Sequence, residues 1–149
     1  GLITTNITWL SSKATIFPAL VITDVWKTTP FVALLLAAGM QMIPGSLYES
    51  AKIDGANSIK TFFRITVPML KSTLLITLLF RTMSAFNVFD IINIMTGGAF
   101  GTSSLAIYTY KNLMSYLDFG YGSALAVVQF LIAFAIAMVY YRYINKADV

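Results

Sequence analysis

The chain has 149 residues, 58% of them apolar and only 11% charged, with a mean hydropathy of +0.78. A globular chain of this size cannot bury that much apolar surface in its own core, so lipid must take the remainder. The sequence contains no Cys and no His, which excludes disulfides, thiolate or imidazole metal sites, Cys nucleophiles and His acid–base catalysis. The net charge is +4, and the six carboxylates are scattered, forming neither a metal cluster nor a catalytic pair.

The chain opens at Gly1 without Met or a basic region ahead of an apolar stretch, so no signal peptide is expected and the chain reads as a C-terminal fragment preceded by further spans. Residues 1–16, with Trp9, Ser11, Ser12 and Lys13, read as a loop or interfacial segment. The first apolar stretch runs from Phe17 to Ile43, with a first span expected over about 18–43; about 20 residues suffice to cross the hydrocarbon. Asp24, Lys27 and Pro30 interrupt it, and Pro30 is expected to kink it. Asp24 and Lys27 are spaced to pair within one helix.

Residues 44–65 are of different character, carrying Glu49, Lys52, Asp54, Lys60 and Arg64. They predict two short helices about a turn at Asp54-Gly55, where glycine tolerates the required backbone angles. A second span is expected over about 67–89, followed by a loop with Thr96-Gly97-Gly98 and Gly101-Thr102-Ser103-Ser104. Leu105 to Leu117, of mixed polarity, predicts an amphipathic helix lying at the interface or packed beside the pore. The third span, about 121–141, begins on the small residues Gly122, Ser123, Ala124 and Ala126, which suit close helix packing against another span or a second subunit, and ends in a Tyr140, Tyr141 and Tyr143 belt. Lys52, Lys60, Arg64 and Lys71 cluster at the first loop, and Arg142 and Lys146 at the C-terminal tail, whereas Lys111 is the only basic residue between spans two and three. The positive-inside rule then expects the loop and the C-terminus on the cytoplasmic side.

The first loop carries the most informative pattern: Glu49-Ser50-Ala51, three residues, Gly55, nine residues, Ile65, one residue, Val67-Pro68. This resembles the EAA signature of ABC importer permeases, with Ser50 for the middle Ala and Val67 for Leu. The wording YESAKIDGANSIKTFFRITVP is similar to the sugar-permease version of the signature, in which Asp precedes the Gly and Phe lies in the second short helix. DVWKTTPFVALLLAAGMQMIP ahead of it and SAFNVFDIINIMTGGAFGTSSLAIYTYKNLMSYLDFGYGSALAVV behind it also resemble the binding-protein-dependent permeases of the maltose and glycerol-3-phosphate type, although Ala99 and Phe100 stand where a Pro is expected after the Gly pair.

The resemblance implies an all-α membrane protein, the helical bundle of a type I ABC importer transmembrane domain, with about three transmembrane helices, cytoplasmic coupling helices and one interfacial helix. It implies a bacterial cytoplasmic membrane location and a role in moving a sugar or similar polar solute. The implied partners are an ATPase subunit dimer, a second permease subunit, an extracytoplasmic solute-binding protein and the lipid bilayer, with no nucleic acid. ATP and Mg are expected on the ATPase partner, since this chain lacks a phosphate-binding loop and is expected to bind no cofactor and no metal. ATPase coupling falls to Glu49, Ser50, Ala51, Asp54, Gly55, Ala56, Phe62 and Pro68, the small residues among them allowing close approach of the partner. The solute path is expected to draw on Trp26 and Lys27 of span one and on Arg81, Ser84, Phe86, Asn87 and Asp90 of span two; Ser84, Asn87 and Asp90 are three apart, along one helical face that Arg81 extends. Two other readings compete. A channel or ion-coupled carrier draws on the charged, Pro-interrupted first span. An intramembrane enzyme finds no suitable residues.

Overall fold

Three long apolar helices account for most of the chain, and short helices fill the intervals. The computed structural model describes residues 9–145, so Lys146 and residues 1–8 of the expected N-terminal loop lie outside the described part. Among the described residues there is no strand. Helix α1 covers Lys13–Gln41, α2 Gly45–Ile53 and α3 Ser58–Thr61. A π turn over Phe62–Thr66 leads into α4, Val67–Met69, and α5, Lys71–Phe86. Then come α6, Asp90–Met95, and α7, Leu105–Tyr110, the latter continued by a second π turn over Lys111–Ser115, and finally α8, Phe119–Asn145. Helices of 29 and 27 residues rise about 44 and 40 Å at 1.5 Å per residue, enough to cross a bilayer. Lys13–Gln41, Lys71–Met95 and Phe119–Asn145 are each long and apolar enough to span, and little of their apolar surface is covered by the chain itself. This is an all-α membrane protein.

Several expected boundaries move. Helix α1 begins at Lys13, inside the segment expected to be a loop, and it runs without interruption through Pro30. The proline ring removes the donor that would reach the Trp26 carbonyl, yet the helix continues past it. Hydroxyls are plentiful here: Thr28 Oγ1 donates to the Asp24 carbonyl at 2.7 Å, and Thr23 Oγ1 to that of Ala19 at 2.9 Å. Pro68 sits in the first turn of α4, where its missing N–H matters least, and Leu70 separates α4 from α5.

Two compact units divide the chain. One holds residues up to 28 with Ser84–Phe134; the other holds Thr29–Met83 and residues from 135 onward. In the first unit, Leu20, Ile91, Ile92 and Ile107 form a buried apolar cluster, with Val88, Phe89 and Met95 packed against it. Gly122 of α8 lies so close to the π turn after α7 that an added Cβ would stand 2.6 Å from Leu113 Cδ2. The small residue expected to serve helix packing therefore serves a contact within this chain.

In the second unit Phe31 and Phe80 meet edge to face at 6.3 Å, and Thr82 Oγ1 lies 2.8 Å from Tyr140 Oη. Gly39 is packed against α5, where a Cβ would stand 2.6 Å from Thr73 Cγ2 and 2.7 Å from Thr73 Oγ1.

Candidate functional site

The elbow between α1 and α5 belongs wholly to the second unit. Helix α2 starts after Pro44, whose carbonyl accepts from Leu47 N–H at 3.2 Å. Its far end closes in a defined way. Ala56 N–H donates to the Ala51 carbonyl at 2.9 Å and Gly55 N–H to that of Lys52 at 3.1 Å, around Gly55 at φ +70°. These two bonds, six-to-one and five-to-two about a left-handed residue, make a Schellman ending, which satisfies the orphan carbonyls of the last turn. A Cβ at Gly55 would meet nothing within 4 Å, so the glycine is required for its backbone angle and not for space. Asn57 then caps α3 by accepting from Lys60 N–H at 2.8 Å. Tyr48 Oη, 3.1 Å from Thr66 Oγ1, ties α2 to the end of the π turn.

Glu49, Ser50, Asp54 and Phe62 are exposed on this elbow, and Ala56 is half-buried. Ala51 is buried beneath them, at the wall of one of the grooves that flank the bend. Residues unmarked by the motif stand out more. Ile53, the last residue of α2, is 87% exposed, and Ile59 in α3 is 70% exposed. Phe62 and Phe63 are also exposed, meeting edge to face at 5.2 Å. Two shallow grooves of about 280 and 330 Å³ flank the bend, and Ala56 and Thr61 line both. An apolar tip rimmed by Glu49, Lys52, Asp54 and Lys60 has the composition of a docking surface, with an uncharged centre and a charged edge.

The polar residues expected to form a solute path do not share one helical face. Helix α5 ends at Phe86, and residues 87–89 are non-helical, with Phe89 at φ −127°, ψ −58° before α6 begins at Asp90. Ser84 is therefore on a different helix from Asp90, and Arg81 falls in the other compact unit. The chain break is held by Ser104. Its hydroxyl donates to the Val88 carbonyl at 2.8 Å and accepts from Ile107 N–H at 3.2 Å, capping α7 at the same time. Ser104→Ala removes both bonds, and a loss of about 2 kcal/mol is expected, read as a lower melting temperature of the purified full-length protein. An unchanged melting temperature would show that another group holds the break.

Breaking the line brings other groups together. Lys27 forms an ion pair with Asp90, replacing the expected pairing of Lys27 with Asp24. Asn87 Oδ1 accepts from Gln129 Nε2 at 2.7 Å. A groove of about 390 Å³ lies there, lined by Asn87, Gln129 and Phe130 with Ala126 and Ala133. That volume falls within the range of small-molecule clefts, about 300–1,000 Å³. Trp26 is 83% exposed, and Phe86 is half-buried. Gln129 escapes the sequence analysis, although an amide inside an apolar stretch is itself a signal, since membrane interiors reject unpaired polar groups. Among the described residues no group of His, Cys, Asp and Glu is placed to hold a metal.

Comparison with known proteins agrees with this architecture. The family model described as "Binding-protein-dependent transport system inner membrane component" matches residues 2–147. The sulfoquinovosyl glycerol transport system permease protein SmoG of Agrobacterium fabrum is 49% identical over 145 residues, covering 96% of this chain and 47% of that protein. The trehalose/maltose transport system permease protein MalF of Thermococcus litoralis is 45% identical over 140 residues, covering 91% of this chain and 46% of the relative. The trehalose transport system permease protein SugA of Mycobacterium tuberculosis is 40% identical over 127 residues, covering 85% of this chain and 41% of that relative. The chain thus spans about half the length of the curated relatives it matches. With three apolar helices, a motif-bearing elbow between the first two in sequence, and a family match along nearly its whole length, the chain belongs to the family of binding-protein-dependent transport system inner membrane components.

Proposed function

We propose that this chain is the permease part of an ATP-driven importer that moves a sugar or similar polar solute across the bacterial cytoplasmic membrane. The supporting observation is the elbow from Gly45 to Thr66, set between two apolar helices, with its apolar tip exposed at Ile53 and Ile59. In this reading the elbow faces the cytoplasm and docks on one subunit of an ATPase dimer, which binds ATP and Mg. Glu49 and Asp54 engage the partner's polar rim, and Ile53, Ile59 and Phe62 fill its groove. The C-terminus lies on the same side as the elbow. A second permease subunit completes the bundle, and an external binding protein delivers the solute. The permease relatives named for trehalose, maltose and sulfoquinovosyl glycerol support the solute class. Lys27, Asn87 and Asp90, with Gln129, supply the polar wall of the path.

The test is reconstitution of the full-length chain with its partners in proteoliposomes, measuring uptake and ATP hydrolysis together. Gly55→Ala forces a side chain into the left-handed region at a cost of about 1–2 kcal/mol. It is expected to lower the solute moved per ATP several-fold while the protein stays in the membrane. Uptake that proceeds without the ATPase would overturn the reading in favour of an ion-coupled carrier.

A further inference from the structure

An ionised side chain in a membrane-crossing segment persists only where it is paired or wet. Lys27 and Asp90 are paired with each other. They belong to one compact unit, and their pairing is set by the core around them. Leu20 of α1 lies in the apolar cluster with Ile91 and Ile92, which directly follow Asp90. Lys27 stands seven residues beyond Leu20, two turns along the same face of α1, where it meets the carboxylate. The apolar contact at one end and the ion pair at the other fix α1 against the start of α6. The pair is nonetheless open: the two side chains are 52% and 56% exposed, with Trp26 beside them in the chain. The amides of Asn87 and Gln129 lie just across the chain break, and they are bonded to each other.

Two opposite charges in contact have a field that decays far faster than that of either alone, so a solute beside the pair meets almost no net charge. Removing one partner leaves a whole charge, whose field reaches further along the path than that of the pair. We propose that the Lys27–Asp90 pair is a charge filter in the solute path: by cancelling, it leaves a wall read by amides and aromatic rings, suited to uncharged polyhydroxy solutes, and losing one member turns that wall into one that gathers ions of the opposite sign. The inference rests on the permease reading and adds the charge class of its cargo.

The absence of native cysteine in this chain permits a direct test. In the assembled full-length transporter in membrane vesicles, Asn87→Cys is labelled with methanethiosulfonates bearing a sulfonate or a trimethylammonium group, and the labelled peptide is quantified by mass spectrometry. With the pair intact, the ratio of the two rates should match that of a free thiol. Asp90→Asn should raise the ratio about tenfold in favour of the anionic reagent, and Lys27→Gln should shift it about tenfold the other way. The double neutral variant and the charge swap Lys27→Asp with Asp90→Lys should both restore the original ratio, which separates charge from damage to the fold. Labelling at equal ratios in all variants would overturn the filter while leaving the path in place. Failure of either reagent to reach the introduced thiol from either side of the vesicle would overturn the aqueous placement of this face, whereas the permease reading stands or falls separately, on ATP-driven uptake.

Discussion

Replacing Ile53 and Ile59 together by Asp is expected to reduce ATP-driven uptake by the assembled transporter about hundredfold. Both side chains project from the bend with little contact to their own chain, so the fold loses almost nothing when they change. If they fill a groove on the ATPase, each substitution places an unpaired carboxylate in an apolar pocket, an arrangement that disfavours binding by several kcal/mol. ATP hydrolysis by the partner should persist and lose its dependence on solute, and the protein level in the membrane should stay the same. Uptake within about twofold of the unmodified transporter would remove these residues from the interface. Ile53→Ala alone should have a smaller effect, about tenfold, because it removes contact without burying a charge.

Gly39→Ala is expected to destabilise the full-length protein by about 2 kcal/mol, with Thr73→Ala restoring most of the loss. The new methyl group would overlap both branches of the Thr73 side chain, and deleting those two atoms opens the space again. The remaining neighbour, Leu70 Cδ2 at 3.0 Å, is the end of a rotatable side chain that can turn away. Thr77 is unaffected, since its hydroxyl bonds the backbone carbonyl of Thr73 at 2.8 Å. Melting temperatures of the two single variants and the double variant form the cycle. Additive losses would mean that the overlap with Thr73 is relieved by movement of the helices instead.

Features that depend on local pattern are legible in the order of residues. Three apolar runs announce three crossing helices, and the Glu49-to-Pro68 spacing announces the elbow, because both are set by turn chemistry and helix period within a short stretch. The glycine of that spacing has its reason in the Schellman ending at Gly55. Features that depend on distant partners are not legible in the same way. Lys27 finds Asp90, sixty-three residues on, instead of its neighbour Asp24. The polar line through Ser84, Asn87 and Asp90 fails because α5 stops at Phe86, and the break is held by Ser104 from a later helix, which no periodicity at residues 84–90 encodes. Pro30, expected to kink the first span, lies inside one continuous helix. Ile53 and Ile59 look like ordinary aliphatic residues in sequence, since exposure is decided by the fold around them.

The turn at Phe62–Thr66 gives the elbow a spare element of registration. A π turn carries one residue more than an α turn, and each residue of an α-helix sweeps about 100° around the axis. Winding that surplus in or out would swivel everything ahead of it about the helix axis, so rotation, and not only pushing, is available to whatever grips the tip.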